Sequence, residues 1–169
     1  MPKSADNSER FKVRVTKDHL VFCSAHFISY EGDRCERLHG HNYRAAVEVE
    51  GSLDGNFYVF DFIALKNRTK AIIDELDHRM LLPTRSKLIS VEATERSVRV
   101  RYREREWLFP REDCVLLPIE NTTAELLARY IAERLAADLK AQHAYEPAVL
   151  RVEVEENFGQ SATCEWRMS

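Results

Sequence analysis

Apolar and polar residues alternate with period two over Phe11-Lys12-Val13-Arg14-Val15, and the same alternation runs through Val21 to Phe27 and Tyr43 to Glu50, ending at Gly51. Side chains two apart on an extended chain share a face, so these runs predict half-buried strands, the last two paired antiparallel around the loop between them. Ser52-Leu53-Asp54-Gly55-Asn56 is rich in turn formers and precedes Tyr58 to Phe62, where Asp61 is placed to cap the next element. The period then changes. Phe62, Leu65, Ile72, Ile73 and Leu76 fall near helical spacing with lysines and an arginine between them, which predicts a helix over Phe62 to Leu76 on one face of the sheet.

A second helix is predicted from Asn121 onward. Thr122 and Glu125 fit a capping box, and Leu126, Leu127, Tyr130, Ile131 and Leu135 form its apolar stripe. Val149 to Glu156 alternates again as a strand, and Ala162 to Arg167 reads as the last one. Between the helices lies an insertion at about 86–118. In it, Leu88 to Ala93 and Ser97 to Tyr102 predict an inserted β-hairpin closed by Thr94-Glu95-Arg96. Arg103 to Glu106 reads as a solvated turn, and Trp107-Leu108-Phe109-Pro110 as a packing clamp. Strands, helix, interruption, helix and strands in that order point to the α+β class.

Composition narrows the possibilities. A chain of 169 residues with 44% hydrophobic content can bury one sizeable core and is short for two ordinary domains, so a single domain over 11–169 is expected. The polar stretch 1–10 reads as a flexible N-terminus. A formal net charge of -3 offers no basic excess, which argues against nucleic acid as a partner. No apolar run approaches the length of a membrane span, and the leader lacks a signal peptide's apolar stretch. Cys23, Cys35, Cys114 and Cys164 follow no framework spacing, so reduced thiols in a cytoplasm are the simpler reading.

Candidate chemistry concentrates in Cys35-Glu36-Arg37-Leu38-His39-Gly40-His41. On extended backbone His39 and His41 project to one face, and His26 on an adjacent strand can add a third imidazole. Gly40 between them crowds nothing and relaxes the local dihedral limits. Three neutral nitrogens with one open position is the usual make-up of a catalytic zinc site. Cys35 reads either as a small buried hydrophobe or as a thiolate favoured by Arg34 and Arg37. Asp77-His78 reads as a surface pair at a helix end or as an acid–base pair. Glu156 shares a face with Val152 and Val154, where a buried carboxylate needs donors such as a ligand's paired N–H groups; otherwise it marks an exposed strand end.

Taken together, Cys35-x-x-x-His39-Gly40-His41-Asn42-Tyr43, His26, Leu76-Asp77-His78, Asn121-x-Thr123-x-Glu125 and Glu156 resemble, in order, the 6-pyruvoyl- and 6-carboxy-tetrahydropterin synthases over most of Phe11 to Met168. The resemblance implies the tunnelling fold, a four-stranded antiparallel sheet with two helices on one face. It also implies subunits that join sheets into trimeric barrels and stack as homohexamers with sites between subunits. By the same resemblance His26, His39 and His41 hold Zn2+, Cys35 transfers protons with Asp77 and His78, and Glu156 anchors the pterin with Thr123 and Glu125 nearby. The implied substrate is 7,8-dihydroneopterin triphosphate. The three-residue gap between Cys35 and His39 matches the 6-carboxy type, which releases triphosphate and acetaldehyde on the path to deazaguanine nucleosides of the queuosine kind. The Leu88 to Pro118 insertion and Asn157 after Glu156 depart from the short 6-carboxy enzymes, which leaves a 6-pyruvoyl synthase, another pterin lyase or a non-catalytic pterin-binding protein as alternatives.

Overall fold

A computed structural model describes residues 9–16 and 18–167. Most of the expected flexible leader therefore lies outside the described residues. In chain order the elements are β1 (Phe11–Val15), β2 (Val21–His26), β3 (Ser29–Tyr30), β4 (Arg34–Cys35), β5 (His39–Gly51), α1 (Phe62–Asp74), β6 (Arg79–Pro83), β7 (Ser90–Ala93), β8 (Ser97–Tyr102), β9 (Arg105–Pro110), β10 (Cys114–Leu117), α2 (Ala124–His143), β11 (Val149–Asn157) and β12 (Gln160–Arg167).

The long strand β5 organises the sheet. Its first half pairs antiparallel with β2 and its second half with β1, while β11 pairs along its other edge and β12 follows β11. These ribbons form the expected antiparallel core. The sheet is larger than that core, because β6 and β10 continue beyond β2 in parallel register and bring it to seven strands of mixed direction. Short runs such as Met80-Leu81-Leu82 are apolar on both faces, so no alternation announced them.

One face of the sheet buries Phe22, Tyr43, Val47, Leu150 and Val152 against Leu65 and Ile73 of α1 and Leu127, Ile131 and Leu135 of α2. The opposite face carries Glu48, Arg151 and Glu165 in ion pairs. The helices stay on the apolar side because burying either charged row would cost several kcal/mol per unpaired ion. Asp61 caps α1 as expected, its Oδ1 accepting from the Ala64 N–H at 2.6 Å. Phe62, counted in the apolar stripe, is instead 57% exposed at the first helical position.

At α2 the cap is displaced by one residue and the expected capping box does not form. Thr123 is the N-cap and accepts from the Leu126 N–H, whereas Thr122 is fully buried and donates its hydroxyl to the Phe27 carbonyl. Glu125 thus precedes the position a capping box requires.

The insertion folds as a three-stranded meander, not a two-stranded hairpin. Only Arg103 and Glu104 turn the chain, Arg103 at a φ of 51°, and Arg105 already begins β9. Alternation within β9 aims Arg105, Trp107 and Phe109 at the rest of the protein. Phe27, Met80, Leu82, Val98, Val100 and Tyr102 form a second apolar cluster beneath the meander, and Trp107 stacks on Phe27 with ring centroids 4.6 Å apart, the packing expected of it.

Candidate functional site

The apolar row on the inner face of β5 changes chemistry at its N-terminal end. Val47, Ala45, Tyr43, His41 and His39 lie on one face at a spacing of two, and β2 sets Phe22 opposite Tyr43, Ser24 opposite His41 and His26 opposite His39. Glu156 sits two residues beyond Val154 on β11, beside a register shift, and reaches the same end of the sheet. Ligating atoms of His26, His39, His41 and Glu156 all lie within 4.8 Å of one another.

The rings are oriented from behind. His26 donates from Nδ1 to the Thr122 carbonyl at 2.9 Å, and His39 from Nδ1 to the Arg37 carbonyl at 2.8 Å, which turns each Nε2 toward the cluster, where that of His26 lies 3.1 Å from Glu156 Oε1. His41 Nε2 is buried with no hydrogen-bond partner. Glu156 Oε1 lies 3.3 Å from it without a hydrogen bond; a buried nitrogen lacking one costs about 1–3 kcal/mol, and this placement beside two pre-oriented imidazoles and a carboxylate fits a cation-binding group. Burial pushes the His41 imidazole's pKa down, the Glu156 carboxylate pulls it back up, and neighbouring His26 and His39 lower it again. The neutral, ligating form is thereby favoured. A hydrogen bond from His26 holds Glu156 below the usual carboxylate range against the effect of burial. The Tyr43 hydroxyl donates to Glu156 Oε1 at 3.4 Å, and burial together with that carboxylate raises its own pKa.

Gly40 serves the site by lacking a side chain. Its φ is not in the left-handed region; a Cβ there would meet the Ser24 carbonyl oxygen at 3.1 Å. Close approach of β2 to β5 is its reason, and dihedral freedom is not.

Asp77 and His78 sit beside Cys23, three residues before His26 on β2. Asp77 Oδ1 accepts from the Cys23 N–H at 2.7 Å and Oδ2 lies 2.9 Å from His78 Nδ1. Burial acts to raise the Asp77 pKa, but the N–H of Cys23 and the His78 ring outweigh it and hold the acid low. His78 has its backbone at a φ of 55° and its side chain 81% exposed. Cys35 ends the β3–β4 hairpin, half-buried against the second apolar cluster. Among the described residues no hydrogen bond or ion pair joins Cys35 or the imidazoles to the Asp77–His78 pair. The thiol also differs from expectation: burial pushes its pKa up, Arg105 from the insertion opposes this, and Arg34 and Arg37 are not the cations that act on it.

Thr123 and Glu125 lie at the start of α2, Thr123 spending its hydroxyl on the cap and Glu125 exposed. Asn121, the first residue of the Asn121-x-Thr123-x-Glu125 motif, clamps this segment to β3 by pairing with both the N–H and the carbonyl of Ser29. Its place one residue before a helix-start Thr-Thr was the available signal. A cleft of about 300 Å³ lined by Gly40, His41, Asn42, Arg44, Glu155, Glu156, Asn157 and Phe158 opens beside the imidazoles.

This topology, with imidazoles and a carboxylate at one end of a curled sheet backed by two helices, defines a tunnelling-fold protein with a group able to hold a metal. Residues 14–167 match the family described as 6-pyruvoyl tetrahydropterin synthase, and the chain belongs to it. It is 37% identical over 144 residues to a putative 6-carboxy-5,6,7,8-tetrahydropterin synthase of Methanocaldococcus jannaschii, covering 85% of this chain and 88% of that one. The 6-carboxy-5,6,7,8-tetrahydropterin synthase of Haemophilus influenzae is 30% identical over 131 residues, 74% of this chain and 83% of its own. Among solved structures, Plasmodium vivax 6-pyruvoyltetrahydropterin synthase superposes with a TM-score of 0.87 at 29% identity, covering 95% of this chain and all of that one.

Proposed function

We propose that the protein converts 7,8-dihydroneopterin triphosphate to 6-carboxy-5,6,7,8-tetrahydropterin, releasing triphosphate and acetaldehyde, with Zn2+ held by His26, His39 and His41. The observation that carries this reading is the set of pre-oriented imidazoles in a chain whose relatives, matched over most of their length, are named 6-carboxy- or putative 6-carboxy-tetrahydropterin synthases. Zinc, when bound, supplies Lewis acidity that makes the side-chain hydroxyls of the substrate easier to ionise.

The chain's own residues do the remainder. Glu156, whose carboxyl is held below the usual range beside His26 and the other imidazoles, accepts the paired N–H groups of the pterin and fixes the ring's register, with Thr123 and Glu125 at the α2 end of the site. Cys35 takes a proton from the substrate side chain as its thiolate. Asp77 holds His78 through Nδ1, so His78 Nε2 is the atom that gives or takes a proton. Because no hydrogen bond or ion pair among the described residues joins the Asp77–His78 pair to Cys35, we place the complete site between subunits of a homohexamer. The unpaired outer edges of β1 and β12 support such sheet-to-sheet assembly. Four free cysteines support a cytoplasmic location.

A second reading within the same chemistry has its own support. A dihydroneopterin monophosphate aldolase of Pyrococcus furiosus is 42% identical over 60 residues, 36% of this chain and half of that one. Incubation of zinc-loaded protein with dihydroneopterin triphosphate and, separately, the monophosphate decides between them by product. Carboxypterin with acetaldehyde from the triphosphate supports the proposal. A pyruvoyl product or exclusive cleavage of the monophosphate replaces it, and tight binding of unchanged substrate leaves a pterin-binding protein.

A further inference from the structure

The hairpin that carries Cys35 has little to hold it in place by itself. Its ladder is two residue pairs, Ser29 with Cys35 and Tyr30 with Arg34. A two-stranded hairpin of that length is not stable alone in water. Asn121 holds its β3 strand at Ser29, and what meets its β4 strand is the inserted meander. Arg105 donates from Nη2 to the Cys35 carbonyl at 2.7 Å and from Nη1 to the Glu36 carbonyl at 3.0 Å, spanning successive carbonyls with one planar fork. Its guanidinium lies over the rings of Tyr102 at 4.9 Å and Trp107 at 5.4 Å, and Trp107 stacks on Phe27, the residue after His26. Tyr102 and Arg103 complete the hold by donating to the Asp33 carbonyl, Arg103 also pairing with the Asp33 carboxylate at 2.6 Å.

We propose that Arg105 is a positioning residue for the Cys35 thiol, and that the inserted meander exists to fix the thiol-bearing hairpin against the strand that carries His26. This rests on the reading of Cys35 as the proton-transferring thiol. Arginine suits the place because only its rigid fork reaches both carbonyls at once while stacking between two rings. The charge has a second effect. Two ionic groups face the thiol, Arg105 from β9 and Glu36 from its own hairpin; the first favours the thiolate against burial and the second opposes it. A thiol placed correctly but left protonated would be a poor base, so one side chain answers both requirements.

The test compares Arg105→Met and Arg105→Lys with the wild-type chain, all zinc-loaded, by three measurements. These are bound metal, turnover of dihydroneopterin triphosphate, and the pH profile of Cys35 alkylation by iodoacetamide followed on the Cys35 peptide by mass spectrometry. Arg105→Met should keep its metal, lose about a hundredfold in kcat with KM nearly unchanged, as expected when a reacting group is displaced by about 1 Å, and move the alkylation midpoint to higher pH. Arg105→Lys should restore most of the midpoint but little of kcat, since a point charge cannot fork. Wild-type kcat and midpoint in a folded Arg105→Met overturn the proposal. If that variant does not fold, wild-type kcat in Arg105→Lys overturns it equally. If the wild-type chain turns over no pterin while the Cys35 midpoint still shifts in Arg105→Met, the assigned reaction falls and the hold of Arg105 on the thiol stands.

Discussion

His26 and His39 face each other directly across β2 and β5, their ring centroids 4.7 Å apart, and each turns Nδ1 to a main-chain carbonyl. The two Nε2 atoms are therefore aimed before any ion arrives. A site built this way couples metal binding to folding, because the unfolded chain has no such arrangement.

Metal removal should lower stability by a predictable amount. With free zinc a hundredfold above its Kd, the holo protein should be about 2.7 kcal/mol more stable than the chelator-treated one. Urea unfolding with and without metal measures it. His39→Ala should abolish the difference, and an unchanged metal-dependent gain in that variant would remove His39 from the ligand set.

Gly40→Ala should weaken metal binding while leaving the helices intact. The added Cβ meets the Ser24 main-chain carbonyl, which cannot rotate away as a side chain would, and the β2–β5 spacing at the imidazoles must open by a few tenths of an ångström. A loss of about tenfold in affinity is expected from a displaced ligand support. Competition against a chromogenic chelator reads it.

Cys35→Ala and Asp77→Asn should separate chemistry from metal binding. Both should keep stoichiometric zinc, because neither residue belongs to the His26, His39, His41 and Glu156 group. Cys35→Ala should lose turnover, and Asp77→Asn should lower kcat by about two orders of magnitude by weakening the orientation of His78. Loss of zinc in Cys35→Ala would contradict the role given to the thiol.

The outer face of the sheet should set the acid limb of stability. Arg151 pairs with Glu48 at 2.7 Å, Glu50 at 3.1 Å and Glu165 at 2.7 Å. Arg151 holds Glu50 below its ordinary value of 4.5, and Arg167 with Arg151 does the same for Glu165. A depressed carboxyl stabilises the fold fully above its unfolded pKa and ceases to do so as pH falls through the folded one. The wild-type chain should thus lose this contribution below about pH 4.5. Arg151→Met, whose clustered acids gain from protonation, should narrow its deficit relative to wild type over the same range. Urea midpoints at pH 7 and pH 3 measure this, and a deficit that is constant or grows toward acid contradicts it.

Thr123→Ala should cost about 1 kcal/mol through loss of the α2 cap. Thr122→Ala acts differently, because it strips a donor from the Phe27 carbonyl next to His26 and should lower zinc affinity as well. Parallel unfolding and metal titration distinguish the two threonines.

Periodicity carried the reading of β1, β2, β5, β11, β12 and both helices, because each has one wet and one dry face and the alternation records it. The same logic missed β6, buried among neighbours, and the short edge strand β10, neither of which carries an alternation, and it shifted the α2 cap by one residue, since Thr122 and Thr123 are chemically identical until one of them is buried. It also left β9 as a turn and a clamp, for the function of Arg105 lies in carbonyls some seventy positions away along the chain.

From the chain alone came the residue types, the spacing of two that aims His39 and His41 one way, and the order of motifs that marks the family. Tertiary structure decided which strand brings His26 opposite His39, that Glu156 joins the imidazoles, and that the insertion's arginine, not those flanking Cys35, acts on the thiol. The reason is physical: spacing along a strand is a local property of the backbone, whereas register across strands and the burial of a thiol exist only once the core has closed.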